Sequence, residues 1–278
     1  MPVPLPPSIQ DRPHGNRVAG KVAIVTGGNA GVGRAAAELL GREGAKVVVA
    51  SRTVITGEET VRLIEQAGGE AAFVRTDVGR EDDCMALVAE TVRRYGRLDV
   101  LVNNAAIYPR STLAETTIPF WREIMAINVE GPLVLCRESV PHMSAGGGGS
   151  IINVGSGNAR GGAPNLTAYS ISKGALWTLT RNVAAAFISE NIRANYLNPG
   201  WNHTATEKRI HALEGHDEAW LAEAAARSPA GRSADPSDAA YAILWLASSE
   251  SIYVNGQVIG TDGGGSLGGA ARRPAPPP

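Results

Sequence analysis

Tyr169 and Lys173 stand four residues apart in Y-S-I-S-K, a spacing that puts both side chains on one face of a helix. Free tyrosine titrates near 10 and is a poor acid–base group at neutral pH. A lysine ammonium beside it favours the phenolate; lowering the tyrosine by about three units takes roughly 4 kcal/mol of differential stabilisation. Taken alone, Y-x-x-x-K also fits an ordinary solvated helix face. Ser156 shifts the balance, because it follows the apolar run GSIINV directly, at the carboxyl edge where open α/β sheets bind ligands.

A second chemical feature lies near the start. The run KVAIVT leads into T-G-G-N-A-G-V-G (Thr26 to Gly33), and a helical stretch, RAAAELLG, begins at once. Gly27, Gly31 and Gly33 let backbone pass close to a ligand, and the helix N-terminus offers unpaired N–H groups to a pyrophosphate. The spacing is not G-x-G-x-x-G, and any tight strand-to-helix turn can use glycine. Position at the first strand–helix junction favours the phosphate reading. Ser51 comes about 20 residues past Gly31, where dinucleotide folds place a carboxylate for the ribose of NAD. No acid is present there, and Ser51 with Arg52 can bond the 2′-phosphate that an acid would repel. NADP(H) is therefore favoured and NAD(H) is possible; the competing reading of Arg52 is a solvated loop charge. Asp77, just before Val78, is placed to bond the adenine amino group or simply to cap its loop.

The elements that position these groups alternate along the chain. Apolar runs at 21–26, 45–51, 71–77, 98–104, 149–155, 193–200 and 256–262 are separated by longer amphipathic stretches. Strands apolar on both faces, with helices between them, predict a single-domain, doubly wound parallel sheet of seven strands, Rossmann-like, with helices on both faces. No linker or internal repeat divides it. Five of the 17 prolines fall in residues 1–20 and four in 271–278, so residues 1–19 and 266–278 read as extended or disordered tails around a domain at 20–265.

Composition narrows the partners. With 44% hydrophobic and 19% charged residues the chain is globular, and a net charge of −1 gives no pull toward nucleic acid or an anionic membrane. The two cysteines read as small buried thiols. His211 and His216, five apart, do not stack on one helix face, so no metal site is expected. No apolar run is long enough to span a membrane, and the N-terminus lacks a secretion signal, which makes a soluble cytoplasmic protein the expectation.

The ordered set of motifs resembles the short-chain dehydrogenase/reductase family, in its single-domain branch. It comprises TGGNAGVG, Asp77-Val78, Asn103-Asn104-Ala105-Ala106, Asn128-Val129, Ser156, Y-S-I-S-K, Pro199-Gly200 with Thr204, and Asp262-Gly263-Gly264, spanning residues 21 to about 266. The resemblance implies an NADP(H)-dependent oxidoreductase interconverting a ketone or aldehyde with an alcohol. Tyr169 would be the general acid or base, and Lys173 would bond the nicotinamide ribose and depress the tyrosine. Ser156 would bond the substrate oxygen, and Asn128 would hold an ordered water as a proton relay. Gly27, Asn29, Gly31, Val32, Gly33, Ser51, Arg52, Asp77, Val78, Asn104 and Ala105 would hold the dinucleotide. Pro199, Gly200, Asn202 and Thr204 would grip its carboxamide end. Ala106 replaces a usual glycine, Ala30 a basic residue found in some NADP-preferring members, and Gly155 a frequent serine, leaving slightly more room.

By the same resemblance, Tyr108, Arg110, Asn158, Arg160, Asn165, Trp201 and His203 would wall the substrate pocket under a helical lid at about 205–227. Leu213, Trp220 and Leu221 would face the pocket or pack on the body. That mix suits a hydroxylated or otherwise polar small-molecule carbonyl compound, and NPGWNHT is faintly similar to branches acting on sugars and polyols. A homo-oligomer, tetramer or dimer, is implied as well. The alternative class is a catalytically silent nucleotide-binding sensor or scaffold on the same fold. An S-adenosylmethionine methyltransferase shares the glycine-loop architecture but does not explain Y-S-I-S-K or P-G-x-x-x-T.

Overall fold

Short β-branched runs with no polar face form strands that must be covered on both sides. In the computed structural model, which describes residues 15–265 together with Val3, Ser8 and Ile9, seven such runs pair in parallel. They are β1 (Val22–Thr26), β2 (Lys46–Ser51), β3 (Glu70–Arg75), β4 (Val100–Asn103), β5 (Gly149–Val154), β6 (Ile192–Asn198) and β7 (Val258–Gly260), in the spatial order β3-β2-β1-β4-β5-β6-β7. Register follows from alternation. Ala23 and Val25 of β1 face one core with Val47 and Val49 of β2, while Ile24 and Val48 face the other. The crossover helices supply the outer layers. Helices α1 (Gly31–Arg42), α2 (Val54–Gln66) and, far along the chain, α9 (Pro236–Ala247) cover the first face. Helices α3 (Glu81–Tyr95), α5 (Gly131–Ala145) and α6 (Thr167–Ala186) cover the second.

The remaining helices stand over the carboxyl ends of the strands. Helix α4 (Ile118–Met125) runs into α5 through a π-helical turn at Ala126–Glu130 that contains Asn128. Helices α7 (Ala205–Leu213) and α8 (Glu218–Ala226) occupy the stretch read as helical at about 205–227. Gly215, at φ 83°, ends α7 and turns the chain back. Thr204 and Asp217 cap the two helices by accepting from the N–H groups of Glu207 and Trp220.

β1 sits between β2 and β4, so the connections leave it in opposite directions and open a crevice at its carboxyl end, where doubly wound sheets bind ligands. Part of the segment read as a tail packs on this body: Val18 and Ile9 are buried in the α1–α9 core, and the Arg17 guanidinium donates to Glu250 at 2.6 Å. Residues 266–278 lie outside the described residues. No helix among the described residues is long and apolar enough to cross a membrane.

Candidate active site

Glycine 33 opens the floor of the crevice. A Cβ there would lie 2.3 Å from the Gly27 carbonyl oxygen and 2.4 Å from the Asn104 amide, so only glycine allows the loop to close this tightly. Asn104 fixes that closure, donating to the carbonyls of Thr26 (2.8 Å) and Gly27 (3.3 Å), while the Thr26 hydroxyl accepts from the N–H groups of Asn104 and Ala105. The Asn104 amide group thus holds the glycine loop while the residue lines the cavity. Thr204 packs over the same loop at Gly31.

A cavity of about 1090 Å³ runs from Ala30, Gly31 and Val32 past Asn104, Ser156, Tyr169 and Lys173 to Pro199, Gly200, Asn202 and Thr204. Ser51, Arg52, Asp77 and Val78 do not line it; they stand at the carboxyl ends of β2 and β3, along the same edge of the sheet. Ser51 is buried and donates to the Thr53 carbonyl, whereas Arg52 is exposed, with Asp77 4.0 Å away. Asp77 accepts from the Gly79 N–H, which makes it a loop cap whatever else it bonds.

Helix α6 brings the reactive groups together. Its first turn carries Tyr169 toward the Ser156 hydroxyl and sets Lys173 one turn below. Lys173 is 3% exposed; its Nζ donates to the Val154 carbonyl at 2.8 Å and lies 5.7 Å from the Tyr169 ring centre. Burial works against the sequence expectation here. It pushes the Tyr169 phenol up to about 12, partly opposed by the nearby Ser156 hydroxyl, and pushes Lys173 down to about 8. Desolvation disfavours the charged form of each group and is the largest influence on both.

The Asn128 side chain has a structural task. Both of its amide protons are used, on the Ile107 carbonyl (2.8 Å) and the Ser172 hydroxyl (3.0 Å), and its Oδ1 accepts from the Ile107 N–H at 2.9 Å. It joins the loop after β4 to α6 at Ser172, which in turn donates to the Tyr169 carbonyl. The π-helical turn suits this task, since one wider turn re-aims a side chain without ending the helix.

Sequence reasoning missed Tyr196. This β6 side chain is buried, and its hydroxyl accepts from the Ser156 N–H at 2.7 Å and donates to the Ser156 carbonyl at 3.1 Å. The space opened by Gly155 is occupied by this ring, since a Cβ on Gly155 would fall 1.7 Å from Tyr196 Cζ. Gly155→Ser is therefore expected to cost at least about 1–3 kcal/mol through overpacking. The check is thermal unfolding, in which an unchanged Tm would show that the tyrosine is not the support of Ser156. No short-range pattern links residues 155 and 196; only the β5–β6 pairing does.

Glu207 is the other omission. It accepts from Trp201 Nε1 at 3.0 Å and lies near Arg110, His211 and Tyr108, whose phenol is raised by burial and then by this carboxylate. T-x-x-E at 204–207 is a helix-start signature that could have flagged it. Tyr108, Arg110, Asn158, Arg160 and Trp201 line the cavity, as does Trp220; Asn165 and His203 do not, and Leu213 points to solvent.

A fold with its crevice at the β1 switch point, a glycine loop under a helix N-terminus and a Ser–Tyr–Lys cluster defines a dinucleotide-type α/β protein. A family model described as Enoyl-(Acyl carrier protein) reductase matches residues 27–266. An uncharacterised oxidoreductase of Thermotoga maritima is 39% identical over 88% of this chain and 97% of its own length. The cis-4-hydroxycyclohexanecarboxylate dehydrogenase of Sinomonas cyclohexanicum is 38% identical over 90% and 98%. A crystal structure from Beutenbergia cavernae, provisionally assigned as an NAD(P)-dependent gluconate 5-dehydrogenase and holding NADP at low occupancy, is 36% identical. It covers 91% of this chain and all of its own, at a TM-score of 0.84. The chain belongs to the short-chain dehydrogenase/reductase family, oxidoreductases that bind NAD(P) and act on CH–OH groups.

Proposed function

We propose that the protein is an NADP(H)-dependent oxidoreductase that interconverts a ketone or aldehyde with an alcohol, with Tyr169 as the proton donor or acceptor. The observation that carries this reading is the meeting of Ser156, Tyr169 and Lys173 on the cleft wall. The crevice suits a dinucleotide, because the glycine loop, closed tightly at Gly33, lines one end of the cavity with Ala30, Gly31 and Val32. When bound, the nicotinamide supplies or takes the hydride. Everything else falls to the chain.

Ser156, held by Tyr196, donates to the carbonyl oxygen and steadies the charge that develops on it. Tyr169 gives the proton. A phenol raised to about 12 is fully protonated at neutral pH, the form that carbonyl reduction needs. Lys173 holds the ribose hydroxyls and supplies positive charge beneath the phenol. Thr204 and Asn202 grip the carboxamide end. Asn128 positions α6 through Ser172. A polar, hydroxylated substrate suits the Asn158, Arg160 and Tyr108 lining, and the names of the Sinomonas and Beutenbergia relatives denote hydroxylated carboxylates.

Arg52 is the cation for the 2′-phosphate, beside Ser51. Its exposure and the absence of an acid at position 51 support NADP(H) over NAD(H). Arg52→Ala is expected to weaken NADPH binding by roughly 10–100-fold, the worth of a charge-assisted hydrogen bond, and to leave NADH unchanged. Fluorescence titration with each nucleotide checks this; equal losses for both would remove Arg52 from phosphate recognition. A homo-oligomer is proposed as well. Exposed Leu133 on α5 and Ile171 on α6 support it, and light scattering is expected to give a multiple of the chain mass rather than a monomer.

A further inference from the structure

The lid carries a cluster that hydride transfer does not use. One ligand atom from each of His211, Glu214 and His216 lies within 4.8 Å of the other two. Helix spacing alone would keep His211 and His216 apart. Gly215 defeats it by entering the left-handed region at φ 83°, so the His216 N–H donates back to the His211 carbonyl at 2.9 Å and the two rings come to 5.7 Å.

We propose that His211, Glu214 and His216 form a site for a divalent cation of the zinc class, closing the end of α7 onto the start of α8. His211 supplies the decisive geometry. Its Nδ1 is buried and makes no hydrogen bond, although Glu214 Oε2 is 3.0 Å away. Its Nε2 lies 3.3 Å from Glu207 Oε1. A neutral imidazole has one N–H, and Glu207, the carboxylate nearest Nε2, favours placing it there; Nδ1 then has a carboxylate oxygen beside it and no proton to share, an arrangement that a cation bound to both would satisfy.

The surroundings match those of a metal centre. A carboxylate behind a ligating imidazole fixes its tautomer and ring angle, and Glu207 stands in that position. Arg110 Nε donates to Glu214 Oε1 at 2.9 Å, which leaves Oε2 to face His211. Trp220 stacks on His216, with ring centres 3.8 Å apart and planes 8° from parallel. Two imidazoles and one carboxylate select zinc, cobalt or nickel over magnesium and calcium, which take oxygen. His211 and Trp220 also line the cleft, so an ion here fixes part of the wall under which substrate passes.

A proton on Nδ1 would satisfy the same His211–Glu214 pair, but it gives His216 no part. The test separates the two occupants and needs no nucleotide or turnover. Tag-free full-length protein is titrated with Co²⁺ while the visible absorption of the bound ion is followed, and Zn²⁺ is then added in competition. The expected result is one Co²⁺ per chain, displaced by Zn²⁺, with affinity lowered at least about tenfold in both His216→Ala and Glu214→Gln. Circular dichroism verifies that each variant is folded, and Glu214→Gln keeps the side chain's shape. Failure to saturate, or an affinity unchanged by both substitutions, would overturn the site.

Discussion

Tyr169→Phe is expected to lower turnover by roughly 10²–10⁴-fold, the usual worth of a positioned acid or base, while nucleotide affinity stays within a few fold. The substitution removes one hydroxyl and keeps the ring. The tilted packing against Tyr108, with ring centres 5.8 Å apart, and the helical position above Lys173 are therefore preserved. What is lost is the proton that burial holds on the phenol up to about 12, beside the Ser156 hydroxyl. The variant also divides the two classes of function. A nucleotide-binding sensor has no use for the hydroxyl and would be indifferent to its removal, whereas a carbonyl reductase cannot complete its step without it. Turnover at the unsubstituted rate would take Tyr169 out of the mechanism.

Lys173→Met is expected to reduce turnover by about 10²–10³-fold, comparable to removing one preorganised donor from a closed site. It carries a second signature that depends only on burial. The folded value of about 8 lies below the ordinary lysine value of 10.5. Between those two pH values the unfolded chain keeps a proton that the folded chain has released, so this group makes stability rise with pH. Below pH 8 the whole cost of burying the ammonium is present; above 10.5 none of it remains. Methionine carries no charge. Across pH 8–10 the variant should therefore lose a slope of about 1.4 kcal/mol per pH unit that the unsubstituted protein shows. Urea unfolding at stepped pH reads that difference, and parallel curves for the two proteins would mean that Lys173 is not desolvated as its surroundings require.

The parts of this protein that local rules govern were legible in its residues. All seven strands lie within or near the apolar runs, because a strand buried on both faces needs no polar alternation. Tyr169 and Lys173 share a helix face because i, i+4 residues always do. Where contacts depended on distant chain, the residues were silent. Tyr196 fills the gap left by Gly155 from a neighbouring strand, and Asn128 reaches Ser172 across two helices. The spacing rule misread His211 and His216 because it assumes a helix that continues, and Gly215 stops this one. The tyrosine–lysine pair was legible only in part for a different reason. Spacing reports which charges are neighbours, but the loss of water around each depends on the completed fold, and here that loss dominates.

Transfer of label from NADPH carrying deuterium at the reactive carbon of its nicotinamide tests the proposed chemistry most directly. The carbonyl compound would be whichever member of a hydroxylated ketone and aldehyde panel is consumed fastest. Deuterium is expected on the carbinol carbon of the alcohol formed, with transfer nearly abolished in Tyr169→Phe. Deuterium on any other carbon, or NADPH that binds yet is never consumed across the panel, would contradict hydride transfer to a carbonyl at this site.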